Sequence, residues 1–154
     1  MKQEITLPQH GGAVSAFTVL LSPTRRGARL ARLLATTQLD EWGVTSRVEA
    51  AAQIVAELAA NAVAHGRVRG RDIRLGLGVY GSGSVLRIEV SDARGDRLPP
   101  EPGHTLLPGA DRESGRGLLI VEALADRWGI SPGPLPCKTV WAELDLDLDP
   151  DPAP

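Results

Sequence analysis

The spacing of hydrophobic positions changes along the chain, and each change marks an element. Between Val48 and His65, the residues Val48, Ala51, Val55, Leu58, Ala59 and Ala62 fall on one arc of a 3.6-residue period. That pattern predicts an amphipathic helix with the arc turned inward. Ser46-Arg47-Val48-Glu49 reads as a capping box, so the helix is expected to start near Ser46, run to His65 and stop at Gly66. Upstream, Val14, Phe17, Val19, Leu20 and Leu21 make Ala13 to Leu21 a strand. Ser22-Pro23 signals a helix start, with Ser22 as N-cap and Pro23 as first helical residue. This helix is expected to reach Trp42, carry Leu30, Ala31, Leu33 and Leu34 inward, and end at Gly43.

Beyond Gly66 the period shortens to two. Asp72 to Tyr80 and Ser84 to Ser91 read as strands around the turn Gly81-Ser82-Gly83. In the second, Val85, Arg87 and Glu89 alternate with Leu86, Ile88 and Val90. Arg97 to Ser114 has no usable period and holds Pro99, Pro100, Pro102 and Pro108; a loop this long is often a functional lid. Leu118 to Ala125 is helical in pattern. Trp128-Gly129-Ile130 opens another strand and Thr139 to Leu144 forms the last. Residues 1–12 read as a loose lead-in, and the Asp/Pro-rich end, 147–154, as a tail.

Composition narrows the class. The 154 residues suffice for one domain, and 42% hydrophobic with 23% charged residues is ordinary for a globular protein. No apolar run approaches the ~20 residues of a membrane span, and no secretion signal is legible at the start. A net charge of −2 gives no sign of direct nucleic-acid or membrane binding. The single cysteine, Cys137, fits a reducing cytosol, so a cytoplasmic location is expected. The lysines are Lys2 and Lys138 alone, among many arginines.

The candidate chemistry centres on Glu57 and Asn61. Four apart on one helix, they stand one above the other beside the apolar stripe. The carboxylate can take a proton, and the amide can offer a neutral oxygen to a hard cation such as Mg²⁺. Taken alone, this is better explained as a solvated helix edge. His65 is one turn further on and is a weaker candidate. Gly115-Arg116-Gly117, ahead of the Leu118 helix, could turn backbone N–H groups towards an anion at the positive end of the dipole. Arg25, Arg26, Arg29 and Arg32 could meet an acidic partner, though a solvated helix face explains them more simply. The glycines at 81 and 83 have no following Lys and no following helix, so a hairpin turn suits them better than a phosphate loop.

Three stretches in order resemble the Bergerat-fold ATP-binding domain shared by gyrases, Hsp90 chaperones, histidine kinases and MutL-type proteins. Glu57-x-x-x-Asn61 resembles its N box. Asp92, at a strand end before the long loop, resembles the G1 aspartate, and Gly115-Arg116-Gly117-Leu118 resembles the G2 box. Thr139, opening the last strand, sits where the family has a threonine. The resemblance covers about residues 13–146, with 96–114 as the ATP lid. The wording of 57–66 and 113–122 is similar to the branch of anti-sigma-factor serine kinases and their actinobacterial relatives. The implied fold is α+β: a two-layer α/β sandwich whose mixed, mostly antiparallel sheet has three main helices on one face.

The resemblance also implies roles. Asn61 would hold Mg²⁺ bridging the ATP phosphates, and Glu57 would orient or deprotonate the attacking hydroxyl. Asp92 would accept from the adenine amino group, with Thr139 supporting that contact and Gly95 beside the base. N–H groups around Gly115, Gly117 and Leu118 would cradle phosphates. Arg112 and Arg116 could neutralise phosphate charge, on chemical grounds rather than a family match. One departure stands out: Arg94 and Asp96 occupy positions where the family has glycines. The implied activity is an ATP-dependent serine/threonine protein kinase acting as a switch in transcription control. Its implied partners are a sigma factor and an antagonist protein, with a homodimer as one possible assembly. The alternative is a non-catalytic, ATP-gated protein-binding module. A plain structural domain with coincidental motifs is the remaining reading.

Overall fold

In the computed structural model, residues 12–96, 112–133 and 136–147 are described, with 112–116 described as backbone only. Among these residues, eight elements follow one another: β1 (Ser15–Leu21), α1 (Arg25–Glu41), α2 (Val48–His65), β2 (Ile73–Tyr80), β3 (Val85–Asp92), α3 (Arg112–Leu124), β4 (Arg127–Pro132) and β5 (Lys138–Asp145). The strands form one sheet in the order β1-β2-β3-β5-β4. All four pairings are antiparallel, so the mostly antiparallel sheet expected is antiparallel throughout. Three helices and this sheet make the two-layer α+β sandwich of the Bergerat fold.

Period-two strands give the sheet an inner face of Leu75, Leu77, Val79, Leu86, Ile88, Val90, Val140, Ala142 and Leu144, all buried. Against it lie Ile54, Val55, Leu58 and Ala59 of α2, Ala31, Ala35 and Leu39 of α1, and Leu118 and Val121 of α3. Each fully buried Leu or Ile contributes roughly 1.5–3 kcal/mol. The buried stripe of α2 holds Ala51, Val55, Leu58, Ala59 and Ala62 as expected, and adds Ala52 and Ile54.

The helix starts differ from the sequence reading. In α1 the N-cap is Thr24, not Ser22: its Oγ1 accepts from the Gly27 N–H at 3.0 Å, while the Ser22 hydroxyl bonds Thr24 Oγ1 at 2.9 Å. A side chain at Gly27 would place its Cβ 2.0 Å from the Ser22 carbonyl oxygen. The inward arc of α1 is therefore Gly27, Ala31, Ala35 and Leu39 at strict four-residue spacing. Leu30 and Leu33, expected inside, are 41% and 61% exposed. The C-terminal reading holds, with Trp42 as C-cap and Gly43 at φ +72°.

At α2 the capping box does not form. Arg47 is the N-cap, in the left-handed region at φ 61°, and no side chain caps the helix. The Arg47 guanidinium instead reaches across the chain, donating to Asp126 Oδ2 at 2.9 Å, Leu124 O at 3.0 Å and Asp145 O at 3.1 Å. One cation thus joins the start of α2 to the end of α3 and the end of β5. These distant bonds hold a backbone conformation that a local cap would not require.

On the opposite face of the sheet, side chains of β3 and β5 cover one another, while Ala16, Thr18, Leu20 and Arg74 of β1 and β2 are exposed. Arg87, 6% exposed, lies with its Cζ 4.3 Å from the Trp141 ring centroid. It also pairs with Glu89 at 2.8 Å and Glu143 at 3.1 Å. The Trp141 ring occupies the space a side chain at Gly129 would need.

Helix starts of this kind reverse an ordinary expectation. Gly→Ala within an exposed helix gains about 1 kcal/mol, yet Gly27→Ala should cost at least ~2 kcal/mol through overpacking against Ser22. Urea unfolding of the variant against the parent protein measures this directly, and a stabilised variant would contradict the α1 entry described here.

Candidate functional site

The site is built on α2 from Gln53 to Gly66. Gln53, Glu57 and Asn61 follow at four-residue intervals, so they line one edge of the helix beside its buried stripe. All three are half-buried. Gln53 Nε2 donates to Glu57 Oε1 at 2.8 Å, which fixes the carboxylate and leaves Oε2 pointing elsewhere. Across from it stands Gly117 of α3. A Cβ at Gly117 would lie 3.1 Å from Glu57 Oε2, 3.2 Å from Asn61 Oδ1 and 3.3 Å from Asn61 Nδ2. The sequence-predicted Glu57, Asn61 and Gly117 are therefore brought to one point, and any side chain at 117 would fill the space between them. Oxygen donors of this kind suit a hard cation such as Mg²⁺, which takes few protein ligands and completes its shell with phosphate oxygens and water. Among the described residues no three His, Cys, Asp or Glu side chains converge as a metal cluster.

The second part of the site is Asp92, the last residue of β3. It is 4% exposed and wedged against the end of α2: a Cβ on Gly66 would sit 2.2 Å from the Asp92 carboxylate. Gly66 follows Asn61 by five residues, so the two parts are separated by roughly 7–8 Å of helix axis. Asp92 is also paired. Lys138, which faces it in the β3–β5 register, donates from Nζ to Asp92 Oδ1 at 3.0 Å. The same oxygen accepts from the Arg94 N–H at 2.8 Å, and Lys138 Nζ also donates to Arg94 O at 2.9 Å. Lys138 is 4% exposed. A buried ion pair adds little net stability against an apolar alternative, but losing one partner strands the other and costs about 3–5 kcal/mol.

Other predicted residues are placed differently. Thr139 does not reach Asp92. Adjacent strand residues point to opposite faces, and Thr139 Oγ1 bonds Ser91 Oγ at 2.7 Å on the other side of the sheet. The position facing Asp92 belongs to Lys138. Gly115 and Gly117 lie inside α3, not ahead of it, because the helix begins at Arg112. Only the first turn of a helix leaves N–H groups free, so the Gly117 and Leu118 N–H groups fall in the helix interior in this conformation. Gly95 packs where a Cβ would meet the carbonyls of Pro136 and Cys137, and its N–H donates to Pro136 O at 2.7 Å. Arg94 and Asp96, standing for the family glycines, bond each other through two contacts of 2.9 Å. That hydrogen bond raises the Arg94 guanidinium pKa above its ordinary value. His65 is exposed. The side chains of Arg112 and Arg116, and residues 97–111 of the expected lid, lie outside the described residues.

Sequence reasoning missed Gln53, Gly66 as the seat of Asp92, and Lys138. A signal for the last was present: it is the one lysine in the body of an arginine-rich chain, directly before the strand-opening threonine.

Fold and site together define a class: a two-layer domain with a Glu/Asn helix edge, a glycine facing it and a strand-end carboxylate, as in histidine-kinase-like ATPases. The comparisons agree. The histidine kinase-like ATPase domain family matches residues 21–143, so the chain belongs to that family. Among solved structures, the RsbU and RsbW domains of Rv1364c from Mycobacterium tuberculosis match with a TM-score of 0.62 and 23% identity. The match covers 86% of this chain and 33% of that one, and supports the fold. No curated protein matches the chain.

The wedge at Gly66 gives a sharp contrast between neighbours. Gly66→Ala should destabilise by about 1–3 kcal/mol, since its Cβ overlaps the Asp92 carboxylate, whereas exposed His65→Ala should stay within ~0.5 kcal/mol. Equal, small effects in a denaturation series would show that Asp92 is not seated there.

Proposed function

We propose that this ATPase-family domain is an ATP- and Mg²⁺-dependent serine/threonine protein kinase that acts as a partner switch on a transcription factor of the sigma type. The observation that carries the reading is the convergence of Glu57, Asn61 and Gly117 on one space, with a buried carboxylate at the far end of the same helix. Bound there, a nucleoside triphosphate would supply the γ-phosphoryl group and leave as the diphosphate, and Mg²⁺ would neutralise phosphate charge.

The chain's own residues then have separable tasks. Asn61 would hold the metal through its amide oxygen, without adding negative charge beside the phosphates. Glu57 Oε2 accepts the proton of an incoming serine or threonine hydroxyl. Gln53, holding Oε1, is a positioning residue that keeps Oε2 turned to the space beside Gly117. Gly117 keeps that space open. Asp92 receives the base at the Gly66 end. Phosphoryl transfer needs placement and charge neutralisation more than covalent help, and two residues one helical turn apart on a packed helix supply both rigidly.

The first turn of α3 is the natural place for change on binding. Gly115 costs that turn about 1 kcal/mol relative to alanine, so unwinding there releases N–H groups for phosphate at low cost. A nucleotide-dependent change in that turn would report the nucleotide state to a bound protein. Similarity of fold to a structure containing an RsbW domain favours a regulatory protein as the partner. A homodimer is compatible with this role.

Incubation with γ-labelled ATP, Mg²⁺ and a co-encoded antagonist protein should place label on serine or threonine. Glu57→Ala should abolish transfer, a loss of at least ~100-fold, while ATP affinity stays within about threefold of the parent's. Transfer surviving in Glu57→Ala would remove the kinase reading. Unchanged partner control in that variant would favour the non-catalytic, ATP-gated module.

A further inference from the structure

The Asp92–Lys138 pair bears on which base the site accepts. A carboxylate alone only accepts hydrogen bonds. It welcomes the 6-amino group of adenine and repels the 6-oxo group of guanine, whose lone pairs would face its own. Here the carboxylate is not alone. Lys138 Nζ, opposite Asp92 in the strand register, leaves the same face of the sheet. Both side chains are 5% exposed.

The hydrogen-bond inventory of the pair is incomplete in a particular way. Asp92 Oδ1 accepts twice, from Lys138 Nζ and the Arg94 N–H. Among the described residues, no donor reaches Asp92 Oδ2. Lys138 Nζ has three N–H donors, and two are used, on Asp92 Oδ1 and Arg94 O. One acceptor and one donor are left on neighbouring groups, and a ligand that satisfies both at once would be favoured.

We infer that Lys138 is a second base-reading residue, and that the Asp92–Lys138 pair accepts 6-oxopurines as well as 6-aminopurines. This deepens the nucleotide reading above and rests on it. Adenine presents the pair with an N6–H for Oδ2 and an N7 lone pair for Nζ. Guanine and hypoxanthine present an N1–H for Oδ2 and an O6 lone pair for Nζ. Both edges match one acceptor beside one donor, with the base displaced by about one ring atom. The ammonium removes the repulsion by which a lone carboxylate excludes the oxo group. If instead the pair served only to tether the Arg94 loop, removing Lys138 would lower stability and leave the balance between bases untouched.

The test is calorimetric titration of the full chain with ATP, GTP and ITP in the presence of Mg²⁺. The parent protein should bind GTP and ITP within about tenfold of ATP. Lys138→Met, close in shape and uncharged, should weaken GTP and ITP by roughly ten- to hundredfold more than ATP. Lys138→Arg keeps a donor and should retain the parent's oxo binding better than Lys138→Met, which guards against a methionine variant that does not fold. A parent protein preferring ATP by more than a hundredfold would overturn the inference while leaving the nucleotide site intact. So would equal weakening of all three nucleotides by Lys138→Met. If the parent binds none of them, the nucleotide reading itself falls and this inference with it.

Discussion

The end of β3 is the point on which the rest of the molecule depends. Asp92 must be buried there as a charged group, and burial of a lone carboxylate is prohibitive. Three elements meet to permit it. Lys138 brings a counter-charge from the start of β5, the Arg94 N–H closes the turn that follows, and Gly66 gives up its side chain at the end of α2. The sheet order places β5 beside β3, so a residue 46 positions away in sequence faces Asp92 directly. Fixing Asp92 fixes the C-terminal end of α2, and with it the height at which Asn61 and Glu57 face α3. Packing, electrostatics and the candidate site are therefore one problem.

A second tie works at the other end of the same helix. Arg47 binds the ends of α3 and β5 at once. Anchored at both ends, α2 presents Glu57 and Asn61 from a rigid element, and residue 117 can come close because it is glycine. In the proposed reading, the movement that a switch needs falls to the glycine-containing first turn of α3, while the carboxylate and amide stay fixed. That division would suit an enzyme that positions a hydroxyl and also signals what it has bound.

Much of this was legible from periodicity. The α2 stripe, the β2–β3 hairpin with its left-handed Gly81, Ser82 and Gly83, and the stop at Gly43 follow from local rules that tertiary contacts did not override. What failed were the places where a distant partner outweighed a local signal. Ser46–Glu49 has the letters of a capping box, but Arg47 found three acceptors far along the chain. Leu30 and Leu33 look like core residues, yet the crowding at Gly27 sets the rotation of α1 and turns them outward. In the site, Glu57 and Asn61 could be found because both lie on one helix. Lys138 could not be paired with Asp92 without knowing that β5 inserts between β3 and β4. Thr139 was one residue off for the same reason: a strand's period of two makes adjacent positions face opposite ways.

The central claim is that one helix edge and one strand end hold the two ends of a single metal-bound nucleotide. Calorimetric titration of the parent chain with ATP, run with Mg²⁺ and again with the metal chelated, tests it most directly. The account predicts saturable one-to-one binding that weakens at least about tenfold when Mg²⁺ is removed, because Asn61 grips the phosphates only through the metal. Binding that is indifferent to the metal, or no heat of binding at millimolar ATP, would contradict it.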